Sequence, residues 1–345
     1  MKKTLKTGHG PGMGIAALLT AAVFIFAGCP SEAGNGGGGG GGGPDPDPVP
    51  TDPLQTWTAV SDSTFGTPAF SSIAYGGGKF VAGGWSGKMA HSSDGISWTA
   101  VSDSTFGTSI INGIAYGGGK FVAVGWSGKM AYSSDGITWT AVSDSKFGIS
   151  TINGIAYDGG KFVAGGAGQM AHSSDGISWT AVSDRPSDSG YSNNYGIAYG
   201  GGKFVAGWNN SRMTYSSDGI SWTAVSDSTF GTSDIKGIAY GGGKFVAVGN
   251  IGKMAHSSDG ITWTAVGDSK LGGSQIGGIA YGGDKFVAVG NIGKMAHSSD
   301  GITWTAVSDS TFGNSDIRGI AYGGDKFVAV GGNGDGKIAY SGAVE

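Results

Sequence analysis

The sequence predicts an all-β protein, a seven-bladed β-propeller with four antiparallel strands per blade. Three observations carry that expectation. The tetrad WTAV begins at Trp57, Trp98, Trp139, Trp179, Trp222, Trp263 and Trp304, at spacings of 40 to 43 residues. The triplet IAY begins at Ile73, Ile114, Ile155, Ile197, Ile238, Ile279 and Ile320 with the same period. A period near 41 fits propeller blades and helical solenoids alike. The third observation is at the ends: the first WTAV has no repeat before it, and the last repeat stops at Lys337-Ile-Ala-Tyr-Ser341 without a WTAV of its own.

Composition separates strands from helices. Each repeat holds four short apolar runs, such as Gly113–Tyr116, Lys120–Gly125, Lys88–Ser92 and Ile96–Val101. None reaches the 10 to 12 residues of a helix, and β-branched and aromatic residues dominate them. We label the four strands a to d from the ring axis outward. GGG or DGG joins a to b and supplies positive φ at no steric cost. Ser-Asp-Gly joins c to d as a hairpin turn. A parallel β-solenoid is the rival architecture, but it gains nothing from complementary ends. A ring closes when an N-terminal strand d, within residues 56–61, pairs with C-terminal strands a–c, ending within 336–341. Closure also removes exposed sheet edges.

Before the repeats, residues 1–28 read as a signal peptide and residues 29–53 as a tether, which leaves 54–345 for the propeller. Lys2, Lys3 and Lys6 precede the apolar run Gly14–Ala27, too short for a comfortable membrane span. Ala27-Gly28-Cys29 is similar to a bacterial lipoprotein cleavage box, although Phe26 stands where that family usually has an aliphatic residue. The resemblance implies lipidation of Cys29 and attachment to a membrane of the bacterial cell envelope. Cys29 is the only cysteine, so no intrachain disulfide is possible. Eight glycines, Gly36 to Gly43, form a flexible coil, and the alternating prolines from Pro44 to Pro50 favour extended polyproline II.

The charge balance excludes one class of partner. The chain has 72 glycines and a net charge of −4, and loss of the three signal lysines leaves −7. There is no basic run in the mature chain, which argues against nucleic acid as a partner. A monomer is expected, and no cofactor is implied.

The stretch Ser92-Ser-Asp94-Gly95-Ile-Ser-Trp98 resembles the Asp-box (BNR) hairpin of sialidase-type propellers, one residue shorter than the usual pattern. The likeness covers six of the seven c–d hairpins. It implies a structural role: Asp94, Asp135, Asp175, Asp218, Asp259 and Asp300 fold turns, and the tryptophans pack between blades. A Ser/His/Asp triad is not expected, because His91 is replaced by Tyr132, Tyr215 and Tyr340 in other copies. The same exchange argues against a metal, since His172, His256 and His297 fall on separate blades. Sialidase chemistry would need an arginine triad and a glutamate that polarises a tyrosine. The only arginines are Arg185, Arg212 and Arg318, Arg212 stands where other repeats have Lys88 or Gln169, and no glutamate lies between Glu32 and Glu345. A binding protein is therefore expected, not an enzyme. A degenerate glycoside hydrolase using two aspartates and an envelope assembly scaffold are the alternatives.

Divergence among the copies concentrates in the b–c and d–a loops, which an antiparallel blade places on one face of the ring. Loops on a rigid scaffold are where binding residues collect. That face is expected to carry Trp85, Trp126, Trp208, Tyr191 and Tyr195, with Asn209, Asn210, Arg212, Asp234, Lys236, Asp316 and Arg318. Rings that stack beside amides and carboxylates that orient suit a glycan or a protein ligand. The segment from Arg185 to Arg212 departs most from its siblings and is the first place to look.

Overall fold

The computed structural model describes residues 52–61, 66, 69–184, 186 and 193–344. Cys29, Arg185 and Tyr191 lie outside the described residues, as do the signal segment and all but the end of the tether.

Seven four-stranded antiparallel sheets follow one another in the order a-b-c-d. In blade 1 the strands are Phe70–Gly76, Lys79–Gly84, Met89–Ser92 and Thr99–Ala100. The strand a of each blade packs against the strands a on either side, and that of blade 7 (Ile317–Gly323) packs against that of blade 1, completing the circle. The seventh sheet is the composite one: Trp57–Ala59 pairs with Ile338–Ser341, with Trp57 opposite Ser341 and Ala59 opposite Ala339. The ring is closed as the two complementary ends require.

Packing between blades repeats one theme. Trp139 of blade 2 joins Phe121 of its own blade and Val81 and Met89 of blade 1 in one buried cluster. The hairpin beneath it is held by its own polar atoms. The Asp135 carboxylate accepts from the amides of Ile137 and Thr138, both at 2.8 Å, and from the Ser133 hydroxyl at 2.9 Å. The Trp139 indole donates to the Gly136 carbonyl at 3.4 Å, and Gly136 sits at φ +74°, where an L side chain is strained. Equivalent turns are built on Asp94, Asp175, Asp218, Asp259 and Asp300. All six sequence-assigned turn aspartates thus fold turns.

These turns give the fold a defined response to acid. The amides of Thr138 and Ile137 hold Asp135 down to about 2. At Asp300 partial burial pushes the other way, but the amides of Ile302 and Thr303 outweigh it, again to about 2. A carboxyl lowered from its usual value near 4 contributes stability that is present above pH ~4 and lost as pH falls towards 2. Burial, reinforced by Lys79, Lys161 and Lys244 respectively, lowers the imidazoles of His91, His172 and His256. The folded state then disfavours their protonation, so stability also declines as pH drops below about 6.5. The melting temperature should be flat above pH 7, fall gently below pH ~6.5 and fall steeply below ~4. A stability maximum in acid, in thermal melts from pH 2 to 8, would contradict this arrangement.

Candidate functional site

The b–c and d–a loops do share a face, and they are stitched together. The Trp85 amide donates to the Ala69 carbonyl at 3.0 Å, Gly252 to Ser274 at 2.7 Å and Gly293 to Ser315 at 2.8 Å. At the centre of this face the ring axis opens in a cavity of about 480 Å³, lined by Ser71, Asn112, Asn153, Tyr195, Lys236, Gly277 and Arg318 together with Gln275, Asn291 and Asp316.

The first seven of these residues occupy one position of the repeat, two residues before IAY. In six blades that position is a β-bulge. The a–b register slips between Ile111 and Gly113, and likewise between Phe70 and Ser72, Asn194 and Gly196, Ile235 and Gly237, Ile276 and Gly278, and Ile317 and Gly319. A bulge leaves its extra residue unpaired and re-aims its side chain. Here it turns this position toward the mouth of the channel in six blades, Asn153 takes the same place in blade 3 without a bulge, and every blade but that of Gly277 contributes a side chain. The flanking IAY and KFVA segments are nearly invariant, yet the bulge residue reads Ser, Asn, Asn, Tyr, Lys, Gly and Arg in turn around the ring.

The charges at the mouth are held in place. Lys236 Nζ lies 3.0 Å from Asp234 Oδ2 and 3.5 Å from the centroid of the Tyr195 ring, a distance at which a cation is attracted to the ring face. Asp234 Oδ1 accepts from the Asn210 amide at 3.0 Å, and Oδ2 from Asn250 Nδ2 at 3.4 Å. Partial burial of Asp234 is outweighed by these donors and Lys236, so its carboxyl is lowered. Arg318 donates to the Gly332 carbonyl at 2.6 Å and to Asn333 Oδ1 at 3.3 Å, and lies 3.5 Å from Asp316 Oδ2. Its guanidinium is 5.6 Å from the centroid of the Trp85 ring. Asn112 Nδ2 reaches the Ile152 carbonyl at 2.9 Å and Asn153 Oδ1 at 3.3 Å. The mouth therefore presents both signs of charge, amides and two aromatic rings, each fixed by a neighbour. Such groups orient a ligand.

Of the sequence-assigned binding residues, the structure brings Tyr195, Lys236, Asp234, Asp316, Arg318, Trp85 and Asn210 into this network. Trp126 is half exposed, like Trp85 (50% and 47%), on the loop tip of the next blade. Asn209 takes the loop position that Trp85 holds in blade 1, where its amide donates to the Asn193 carbonyl at 3.0 Å. Arg212 falls at the outer lysine position, away from the channel. Trp208 is a correction: it is 1% exposed and presents no face to a ligand. Blade 4 has one glycine fewer before its tryptophan, so Trp208 aligns with Gly84 at the end of strand b, not with Trp85. Its indole donates to the Thr214 hydroxyl at 3.1 Å, and Thr214 replaces the alanine found there in every other blade. Ser71, Asn112 and Gly277 were missed because register slippage is invisible in sequence, and Asn153, whose blade has no slip, because nothing local sets it apart from its neighbours. The detectable signal was that this one position differs in nearly every copy.

The chain is thus a β-propeller with a diversified channel mouth, and comparison with known proteins agrees with the fold. A model of the DUF6242 beta propeller domain matches residues 173–322. No curated protein sequence matches the chain. Among solved structures it is similar to YCF48 from Cyanidioschyzon merolae, with a TM-score of 0.63 and 16% identity over 83% of this chain and 98% of that one. YCF48 bound to D1 peptide gives 0.67 and 17%, covering 86% and 99%. A catalytically inactive virginiamycin B lyase from Staphylococcus aureus with quinupristin gives 0.71 and 12%, covering 83% and 98%. At these identities the likeness is one of fold alone.

Proposed function

We propose that the chain is an exported, lipid-anchored propeller that works by binding, not catalysis, and that its channel mouth takes a segment of a protein partner. The observation that carries this is the bulge ring, where residues diverge inside an otherwise repeated scaffold, all of them facing one cavity. Fixed charges of both signs beside the Tyr195 and Trp85 rings match a peptide, which offers backbone amides, charged side chains and apolar groups together. A propeller of the same fold, YCF48, is bound to a peptide in one of its structures. The signal-like segment and Cys29 support attachment to a membrane of the bacterial envelope, and the tether of residues 29–53 supports reach away from it. On that reading Cys29→Ser abolishes labelling by radioactive palmitate.

A phage-displayed random dodecapeptide library, selected against the full chain, tests the mouth. Sequences should be enriched that no longer bind when Lys236 and Arg318 are both replaced by Ser, the residue that blade 1 carries at this position. Enriched peptides that bind the double variant equally well would place recognition elsewhere. Turnover of a fluorogenic sialoside, lost on Asp234→Asn, would replace the binding reading with a glycoside hydrolase.

A further inference from the structure

The loop face carries a second kind of concavity, repeated away from the axis. In blade 2 a pocket of about 260 Å³ lies between strand d and the b–c loop, under Thr105 of the preceding d–a loop. Blades 5 and 6 have the same pocket, of about 340 and 360 Å³. The construction is the same each time. A buried methionine (Met130, Met254 or Met295) forms the floor. The last alanine of strand d and the valine after it form one wall, and the lining includes an aspartate of the following d–a loop (Asp144, Asp268 or Asp309), a lysine of the b–c loop (Lys129, Lys253 or Lys294) and, in blade 6, Lys270 as well. Among the described residues, none that lines these pockets also lines the channel mouth.

The lining constrains the ligand. Lys129 and Lys253 each donate one hydrogen bond to a d–a carbonyl, of Phe106 and Phe230, both at 2.8 Å, and an ammonium has three protons to give. The aspartates stand at the rim with their side chains largely exposed, 63% for Asp144 and 64% for Asp268. Asp144 and Asp268 are already paired, with Lys146 at 2.6 Å and Lys270 at 2.7 Å, and in blade 6 Lys270 joins Lys294 opposite Asp309, so no pocket holds a carboxylate free for a cation, and the carboxylate in each lining works against a free anion. Such a pocket offers donors, acceptors and an apolar floor within a volume at the small end of ligand sites. A single neutral pyranose ring has that chemistry: hydroxyls around its edge and a C–H face. The repetition adds a second constraint. The mouth position differs in nearly every blade and suits one asymmetric ligand, whereas the outer pockets share a methionine, an alanine, a valine, an aspartate and a lysine and differ chiefly where Lys270 replaces Thr105 and Thr229. Similar weak sites on one rigid ring gain about 10²- to 10⁴-fold in avidity from a ligand that repeats as they do.

We infer that the outer rim of the loop face is a multivalent site for a neutral polysaccharide, one sugar ring per pocket. Binding by the full chain of dextran, mannan and galactan, and of the corresponding methyl glycosides, is the test. At least one polymer should bind 100-fold or more tighter than its methyl glycoside, and the glycoside should bind with a stoichiometry above one. Ala141→Arg, Ala265→Arg and Ala306→Arg together fill the pockets from exposed strand positions. That triple variant should weaken polymer binding at least tenfold with an unchanged melting temperature, and Lys236→Ser with Arg318→Ser should leave it intact. Failure of all three polymers to bind, one-to-one binding of the glycoside, or loss of binding only in the mouth variant would overturn the inference, the last without harming the reading of the mouth.

Discussion

Trp57→Ala should lower the stability of the propeller by about 3–5 kcal/mol, a fall of roughly 10 °C in melting temperature for a domain of this size. Trp57 is 6% exposed, and its indole donates to the Leu54 carbonyl at 3.0 Å. It packs with Leu54, Phe327 and Ala339, so it joins the first described segment of the chain to the last blade. The segment before it also reaches sideways. Gln55 Nε2 lies 2.9 Å from His297 Nε2 of blade 6, and Asp52 Oδ2 lies 3.7 Å from the same nitrogen. Removing Trp57 therefore loosens a strand that has no covalent hairpin to hold it, unlike the other six strands d. The unpaired edge of Ile338–Ser341 would then be a template for association. Thermal melts and size-exclusion chromatography should show both the lowered transition and oligomers. A variant that melts within 2 °C of the parent would show that the first strand is dispensable.

The second large effect is expected at the joints between neighbouring strands a. A Cβ added at Gly117 would stand 1.9 Å from the ring of Tyr157, and at Gly76 2.0 Å from that of Tyr116. The same seat recurs at Gly200, Gly241, Gly282 and Gly323, each under the tyrosine of the next blade. Gly117→Ala should cost about 1–3 kcal/mol, the usual range for overpacking, because the ring must move and it is wedged against Phe162, 4.5 Å between centroids. Blade 3 shows that such a shift is survivable. It carries Asp158 at this position, and there the next tyrosine, Tyr199, is inclined most steeply to its phenylalanine, at 62°. Gly267→Ala is the control, since that glycine has open space around it and no left-handed backbone to strain. Equal melting temperatures for the two variants would mean that the glycine–tyrosine seats carry no packing.

Much of this architecture could be read from the chain alone. WTAV and IAY gave the blade count, and the missing Ser-Asp-Gly turn in the last repeat identified the closure that Trp57–Ala59 makes with Ile338–Ser341. The turn aspartates were legible because one residue type does one local job. The site was only partly legible. Lys236, Arg318 and Tyr195 stood out as odd residues in loops, but their convergence depends on a register slip between strands a and b that no single residue type marks. Trp208 misled for a related reason. A shift of one position moves a side chain from a loop tip into a packed strand end, and only the compensating Thr214 records it in the sequence.

The central claim is that the chain is one closed ring, because the channel mouth exists only if all seven blades surround the axis. It is tested most directly by a cross-link across the closure. Val60 donates to the Ile338 carbonyl at 2.9 Å, so the next pair inward, Ala59 and Ala339, is a non-hydrogen-bonded pair with the close Cα spacing that a disulfide needs. In a Cys29→Ser background, Ala59→Cys with Ala339→Cys should oxidise to a single intramolecular disulfide. The product would migrate faster than the reduced chain on a denaturing gel and melt higher than its reduced form. Two thiols that stay free in the folded protein, or that join only between molecules, would contradict the closed ring.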